Sequence, residues 1–126
     1  MKHKKSVLIA EDERSTASAI ARKFEKEGYK VNVCYDGVSC IDALGTEDYD
    51  VVMLDLIMPK KNGFDILQEK ADTKNSAVPV YVLTNLGDDD KADQAITLGA
   101  EKVFVKSRTS LKEVTSHVIN EIGLGK

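Results

Sequence analysis

The nine residues Val51-Val52-Met53-Leu54-Asp55-Leu56-Ile57-Met58-Pro59 decide how this chain folds. Four apolar residues run straight into an aspartate, and a proline closes the loop beyond it. A short, uninterrupted apolar run reads as a strand buried on both faces of a parallel sheet. Asp55 then stands at the carboxyl end of that strand, where open α/β sheets bind their ligands. Three more apolar runs end the same way: Val7-Leu8-Ile9-Ala10 meets Glu11-Asp12, Val80-Tyr81-Val82-Leu83 meets Thr84, and Val103-Phe104-Val105 meets Lys106. If these strands lie parallel in one sheet, their ends bring three carboxylates, a hydroxyl and an ammonium to one edge.

Helical patterns separate the runs. Ala17, Ile20, Ala21 and Phe24 share one face of a first helix, and Gly28 stands where a helix C-terminal glycine belongs. Residues 29–34 alternate as a second strand, with Val31 and Val33 facing one way. Asp36 caps a short helix with Val38, Ile41 and Leu44 inward and Gly45 closing it. The third strand covers 50–54, and Gly63 then opens a helix with Phe64, Leu67 and Ala71 on its inner face. The fourth strand covers 78–83, where Pro79 is tolerated because it stands at the start. Asp88, Asp89 and Asp90 complement the dipole at the start of a helix with Ala92, Ala95 and Ile96, which Gly99 ends. The fifth strand covers 102–106. Ser110 and Glu113 have capping-box spacing for a last helix whose stripe is Leu111, Val114, Val118, Ile119 and Ile122. Five such alternations predict an α/β fold: a doubly wound, five-stranded parallel sheet with helices on both faces and right-handed crossovers.

At 126 residues the chain is the size of one domain, read as spanning 1–126 with a basic lead-in at 1–5 and a frayed end at 123–126. A net charge of -3 gives no broad electrostatic reason to bind nucleic acid. No apolar run is long enough to span a bilayer, so no membrane partner is expected. Cys34 and Cys40 lack CxxC spacing and read as free thiols of a reducing cytoplasm. His3 and His117 have no motif around them and read as solvated or rim residues.

The converging strand ends carry the chemistry. Glu11, Asp12 and Asp55 repel one another, and a hard divalent cation relieves that crowding; Mg²⁺ prefers a few carboxylates plus water. Lys106 adds positive charge. An ionised Asp55 is then a nucleophile toward a phosphoryl group, giving an aspartyl phosphate. Mg²⁺, Lys106 and the Thr84 hydroxyl would stabilise the equatorial oxygens in transfer.

As a set, Glu11-Asp12, Asp55 with Met58-Pro59 and Gly63 behind it, Thr84, Gly99-Ala100 and Lys106 resemble the receiver domain of two-component response regulators, in its single-domain, chemotaxis-regulator-like form. The resemblance covers nearly the whole chain. It implies a flavodoxin-like strand order 2-1-3-4-5 and a phosphoprotein whose Asp55 accepts phosphate from a sensor histidine kinase or histidine phosphotransfer protein. It implies that Asp12 and Asp55 ligate Mg²⁺ with the Ile57 carbonyl, that Glu11 acts through metal-bound water, and that Lys106 and Thr84 hold the phosphate. Signalling would pass through the face of helix four, strand five and helix five, as phosphate draws Thr84 inward and the loop containing Gly87 follows. Such a cytoplasmic module acts as a monomer or a phosphorylation-dependent weak dimer and is not an enzyme beyond its own phosphorylation and dephosphorylation. Three departures from the family pattern stand out. Val103 occupies the place of a common aromatic, with Phe104 beside it as a candidate substitute. Ser107, not proline, follows Lys106. Ile57 and Leu86 are apolar at sites that in this family flank the path of attacking water.

Other readings compete. The alternative to a stand-alone module is the excised receiver of a longer regulator. An aspartate-nucleophile phosphohydrolase of the haloacid dehalogenase kind needs a second aspartate two residues after the first, where this chain has Ile57. A flavodoxin-like flavin carrier needs a phosphate-cradling loop after strand one, where Glu11-Asp12-Glu13 would repel phosphate.

Overall fold

In the computed structural model, which describes residues 4–86 and 88–125, the run 51–54 forms a strand in which every residue is buried. Among the described residues five strands alternate with five helices: β1 (Ser6–Ala10), α1 (Arg14–Lys26), β2 (Lys30–Cys34), α2 (Gly37–Thr46), β3 (Val51–Leu54), α3 (Gly63–Lys70), β4 (Val80–Thr84), α4 (Asp89–Thr97), β5 (Ala100–Val105) and α5 (Leu111–Ile122). All pairings are parallel, in the order β2-β1-β3-β4-β5. Residues 1–3 of the basic lead-in, His3 among them, together with Gly87 and Lys126, lie outside the described residues.

The period of two along each strand divides the core. Leu8, Ala10, Val52, Leu54, Val80 and Val82 pack under α2, α3 and α4 with Cys40, Leu44, Ile66, Leu67 and Ala95. Their neighbours Val7, Ile9, Val51, Met53, Tyr81 and Leu83 pack on the opposite face with Ile20, Phe24, Val114 and Val118 of α1 and α5. The same alternation separates Val103, half-buried toward the α4 face, from Phe104, buried under α5. Phe104 lies edge-on to His117 at 5.4 Å and therefore cannot replace an aromatic on the Val103 side. His117, expected at the rim, also stands edge-on to Tyr81 at 6.0 Å.

Several local expectations are corrected. Val38 is 40% exposed; Gly37, Cys40 and Leu44 form the buried side of α2, which runs past Gly45 to Thr46. Ala71 is exposed just beyond α3, whose inner face is Ile66, Leu67 and Lys70. Ile96 is exposed, and Ala95 is the buried residue of α4. Pro79 precedes β4, and its carbonyl accepts from the Val52 N–H at 3.0 Å. β5 begins at Ala100, two residues before the expected start. Ser110 caps α5 by accepting from the Glu113 N–H, but the Glu113 carboxylate takes the Ser110 hydroxyl, not its N–H. Residues 123–125 are tied down where fraying is expected. The Lys5 N–H donates to the Gly125 carbonyl at 2.7 Å, the Gly125 N–H to Glu27 at 3.0 Å, and the Tyr29 hydroxyl to the Gly123 carbonyl.

Candidate functional site

Parallel register brings the strand ends level. Ala10 pairs with Leu54 and Cys34, so the next residues, Glu11 and Asp55, emerge at the same height. Backbone bonds extend the ladder one step: Asp55 N–H to the Ala10 carbonyl at 3.0 Å, Glu11 N–H to Cys34 at 3.1 Å, and Lys106 N–H to Thr84 at 2.8 Å. Glu11 and Asp55 are buried and Asp12 is exposed. A carboxylate oxygen from each of the three lies within 4.8 Å of the others.

Lys106 is the cation inside this cluster. Its Nζ lies 2.6 Å from Glu11 Oε1 and 3.0 Å from Asp55 Oδ2. The second oxygens take backbone donors: Glu11 Oε2 accepts from Glu13 N–H at 3.0 Å, and Asp55 Oδ1 from Ile57 N–H at 3.0 Å. Burial pushes the Glu11 carboxyl above its ordinary range, against the pull of Lys106 and the Glu13 amide. Burial alone would lower the Lys106 ammonium; its bonds to Glu11 and Asp55 outweigh this and hold it above the ordinary lysine value. An oxygen-rich, charge-deficient cluster of this kind fits a hard divalent cation.

Thr84 is fully buried at the end of β4, and its hydroxyl accepts from the Leu86 N–H at 3.2 Å, toward the next loop and not toward the carboxylates. Ile57 is 54% exposed, and Leu86 is half-buried against the α4-side core. No cis peptide bond occurs among the described residues, the Lys106–Ser107 bond included.

Two glycines shape the loop after Asp55. Gly63 donates to the Leu56 carbonyl at 2.9 Å, and a Cβ there would lie 2.5 Å from Leu56 Cα and 2.7 Å from the Asp55 carbonyl. Gly37 donates to the Pro59 carbonyl at 3.0 Å. The sequence reading missed Gly37 because Asp36 already explained the helix start; a glycine directly after a cap is its one sequence sign.

Comparison with known proteins agrees with this geometry. Residues 7–118 match the family described as the response regulator receiver domain. The chain is 37% identical over 103 residues to the probable transcriptional regulator ycf27 of Guillardia theta, covering 82% of this chain and 40% of that protein. It is 34% identical over 114 residues to the response regulator SaeR of Staphylococcus aureus, covering 90% of this chain and 49% of that one. It thus spans less than half the length of these curated relatives. The receiver domain of the Francisella response regulator 1452 superposes with a TM-score of 0.83 at 28% identity, over 94% of this chain and 95% of that one.

Proposed function

Since the chain belongs to the receiver-domain family of response regulators, whose members are phosphoacceptor modules of two-component signalling, we propose that Asp55 is its phosphoacceptor. The observation that carries this reading is the pairing at one sheet edge of a buried Asp55 carboxylate with Lys106 Nζ at 3.0 Å, inside a three-carboxylate cluster. Asp55 Oδ2, held by Lys106, attacks the phosphorus of a phosphohistidine on a sensor kinase or phosphotransfer protein. The P–N bond breaks and its electron pair leaves with the imidazole, which takes up a proton. Lys106 then exchanges the carboxylate for a phosphoryl oxygen, and the Thr84 hydroxyl turns from its loop bond to donate to another. Asp12, Asp55 and the Ile57 carbonyl would hold Mg²⁺ directly, with Glu11 behind a bound water. When bound, the cation neutralises charge on the transferring phosphoryl group.

The module assists only its own phosphorylation and dephosphorylation. With Ile57 two residues after Asp55, no second acid stands there to drive repeated turnover. No helix among the described residues is long and apolar enough to cross a membrane. Output uses the surface of α4, β5 and α5. With Val103 in the aromatic's place and Phe104 on the other face, the rearrangement rests on Thr84 and the loop that follows it. Whether the chain acts alone or as part of a longer regulator, as its length of less than half that of these relatives allows, this step is the same.

Intact-mass measurement after incubation with a small acyl phosphate and Mg²⁺ tests the reading. The protein should gain one phosphoryl group and Asp55→Asn none; equal gain in both would refute it.

A further inference from the structure

The N-terminus of α2 is built against the loop that follows Asp55. A Cβ at Gly37 would lie 2.0 Å from the Lys61 carbonyl oxygen and 2.5 Å from Lys61 Cβ, distances that real atoms do not adopt. The Gly37 N–H donates to the Pro59 carbonyl at 3.0 Å, and the same carbonyl accepts from Lys61 at 2.9 Å. Between them Lys60 has φ 69°, a left-handed backbone that a lysine keeps only where its surroundings impose it. Asp36, which caps α2 by accepting from Ser39 N–H at 2.8 Å, also faces Lys60 Nζ at 3.9 Å. The loop is therefore fixed at its middle by Gly37 and at its end by Gly63, whose N–H reaches the Leu56 carbonyl. Ile57 stands in the chain between the two anchored carbonyls, Leu56 and Pro59.

We propose that Gly37 is a positioning residue for the cation: by seating the Pro59–Lys61 turn against α2, it holds the Ile57 carbonyl in place to complete the Mg²⁺ site. This rests on the metal assignment above. Mg²⁺ demands near-ideal octahedral geometry and tolerates little displacement of a ligand. Moving the Lys61 carbonyl from 2.0 Å to an ordinary contact shifts the turn by on the order of 1 Å. Contacts that orient a metal ligand are worth roughly 10–100-fold in affinity. Gly37 acts through the loop, so about tenfold, the lower end of that range, is expected. Coupling is reciprocal, so the cation should in turn steady the Gly37 contact.

Two measurements test this. Mg²⁺ titration followed by the Asp12 amide should give Gly37→Ala a dissociation constant about tenfold above wild type. Its phosphoacceptor yield should recover at saturating Mg²⁺. Gly45→Ala adds a Cβ to the same helix where nothing lies within 4 Å, and its dissociation constant should not change. Equal constants for the two variants would overturn the proposal. Should Gly37→Ala not fold, hydrogen exchange on the wild type decides. Mg²⁺ should slow exchange at the Gly37 amide more than at Ala43 in the same helix, and Asp12→Ala should erase the difference. Mg²⁺-dependent shifts at Asp12 and Asp55 with equal slowing at Gly37 and Ala43 would overturn the role of Gly37 alone. No shift at Asp12 or Asp55 would overturn the metal assignment and this inference with it.

Discussion

The two ends of one sheet treat buried polar groups in opposite ways. At the amino end, Asn75 is buried in the loop after α3. Its Oδ1 accepts from Tyr49 N–H at 2.9 Å, and its Nδ2 donates to the carbonyls of Leu44 at 2.6 Å and Glu47 at 2.7 Å. Nearby, the Ser6 N–H reaches Asp50 Oδ2 at 2.7 Å and its hydroxyl the Asp48 carbonyl at 3.1 Å. Polar groups paired in this manner fix one geometry. At the carboxyl end, Glu11 and Asp55 are buried as acids, and Lys106 is the one cation bridging them among the described residues. That end sets three carboxylates against one ammonium, a balance that a bound cation would complete. One end of the sheet holds the fold, and the other is left poised for a ligand.

Substitution at each end should separate the roles. Asn75→Ala leaves three backbone groups unpaired and should cost about 3 kcal/mol in urea unfolding, at about 1 kcal/mol or more each, while the gain from Mg²⁺ persists. In wild type, Mg²⁺ at a hundred times its dissociation constant should add about 2.7 kcal/mol, and Asp12→Ala should lose that gain. A Mg²⁺ response that followed Asn75 and ignored Asp12 would break the contrast.

Within the charged end, Ile57 and Leu86 sharpen it further. Hydrolysis needs a water in line with the Asp55–phosphorus bond, oriented by polar neighbours, and neither side chain can hydrogen-bond one. The phosphorylated form should therefore be long-lived for a receiver. Replacing Ile57 with Asn and Leu86 with Glu should speed phosphate loss by up to roughly 10²-fold, the lower range of acid–base assistance. An unchanged rate would mean that neither lines the water path, Ile57 facing solvent and Leu86 the α4-side core.

The smallest effect is on pH dependence. The Glu11 carboxyl is raised by burial, so its contribution to stability is present below the ordinary glutamate range and is lost as pH rises through the raised value. Lys106 is raised as well, so its contribution is present below the ordinary lysine value and is lost as pH rises through its own. Without Mg²⁺, Glu11→Gln should gain on wild type as pH rises from the ordinary glutamate range through the raised value. Thermal melts across that range read it, and a gain that grows as pH falls would reverse the sign assigned to burial.

The strand ends were legible because a buried parallel strand is an uninterrupted apolar run, and its first polar residue marks the edge. Glu11, Asp55, Thr84 and Lys106 were all found in this way. Faces of the short helices were less legible. In α2 the glycine that touches Lys61, a residue with no side chain to read, sets the inner side, and Val38 turns outward. In α3 the aliphatic stem of Lys70 is buried while Nζ reaches the Ser76 carbonyl at 3.0 Å, so a charged letter occupies an inward position. The docking of residues 123–125 was invisible because the segment takes part only through its main-chain amides and carbonyls. Phe104 shows the converse: a strand's alternation already places adjacent residues on opposite faces, which rules it out as a stand-in for Val103.

Borohydride trapping locates the phosphoryl group directly, because reduction of an aspartyl phosphate leaves homoserine at the acceptor position. After incubation with an acyl phosphate and Mg²⁺, peptide mass spectrometry should find homoserine at position 55 and nowhere else, and none when Mg²⁺ is withheld. Homoserine at position 12, or an intact protein carrying phosphate with Asp55 unreduced, would contradict the assignment of Asp55 as the acceptor.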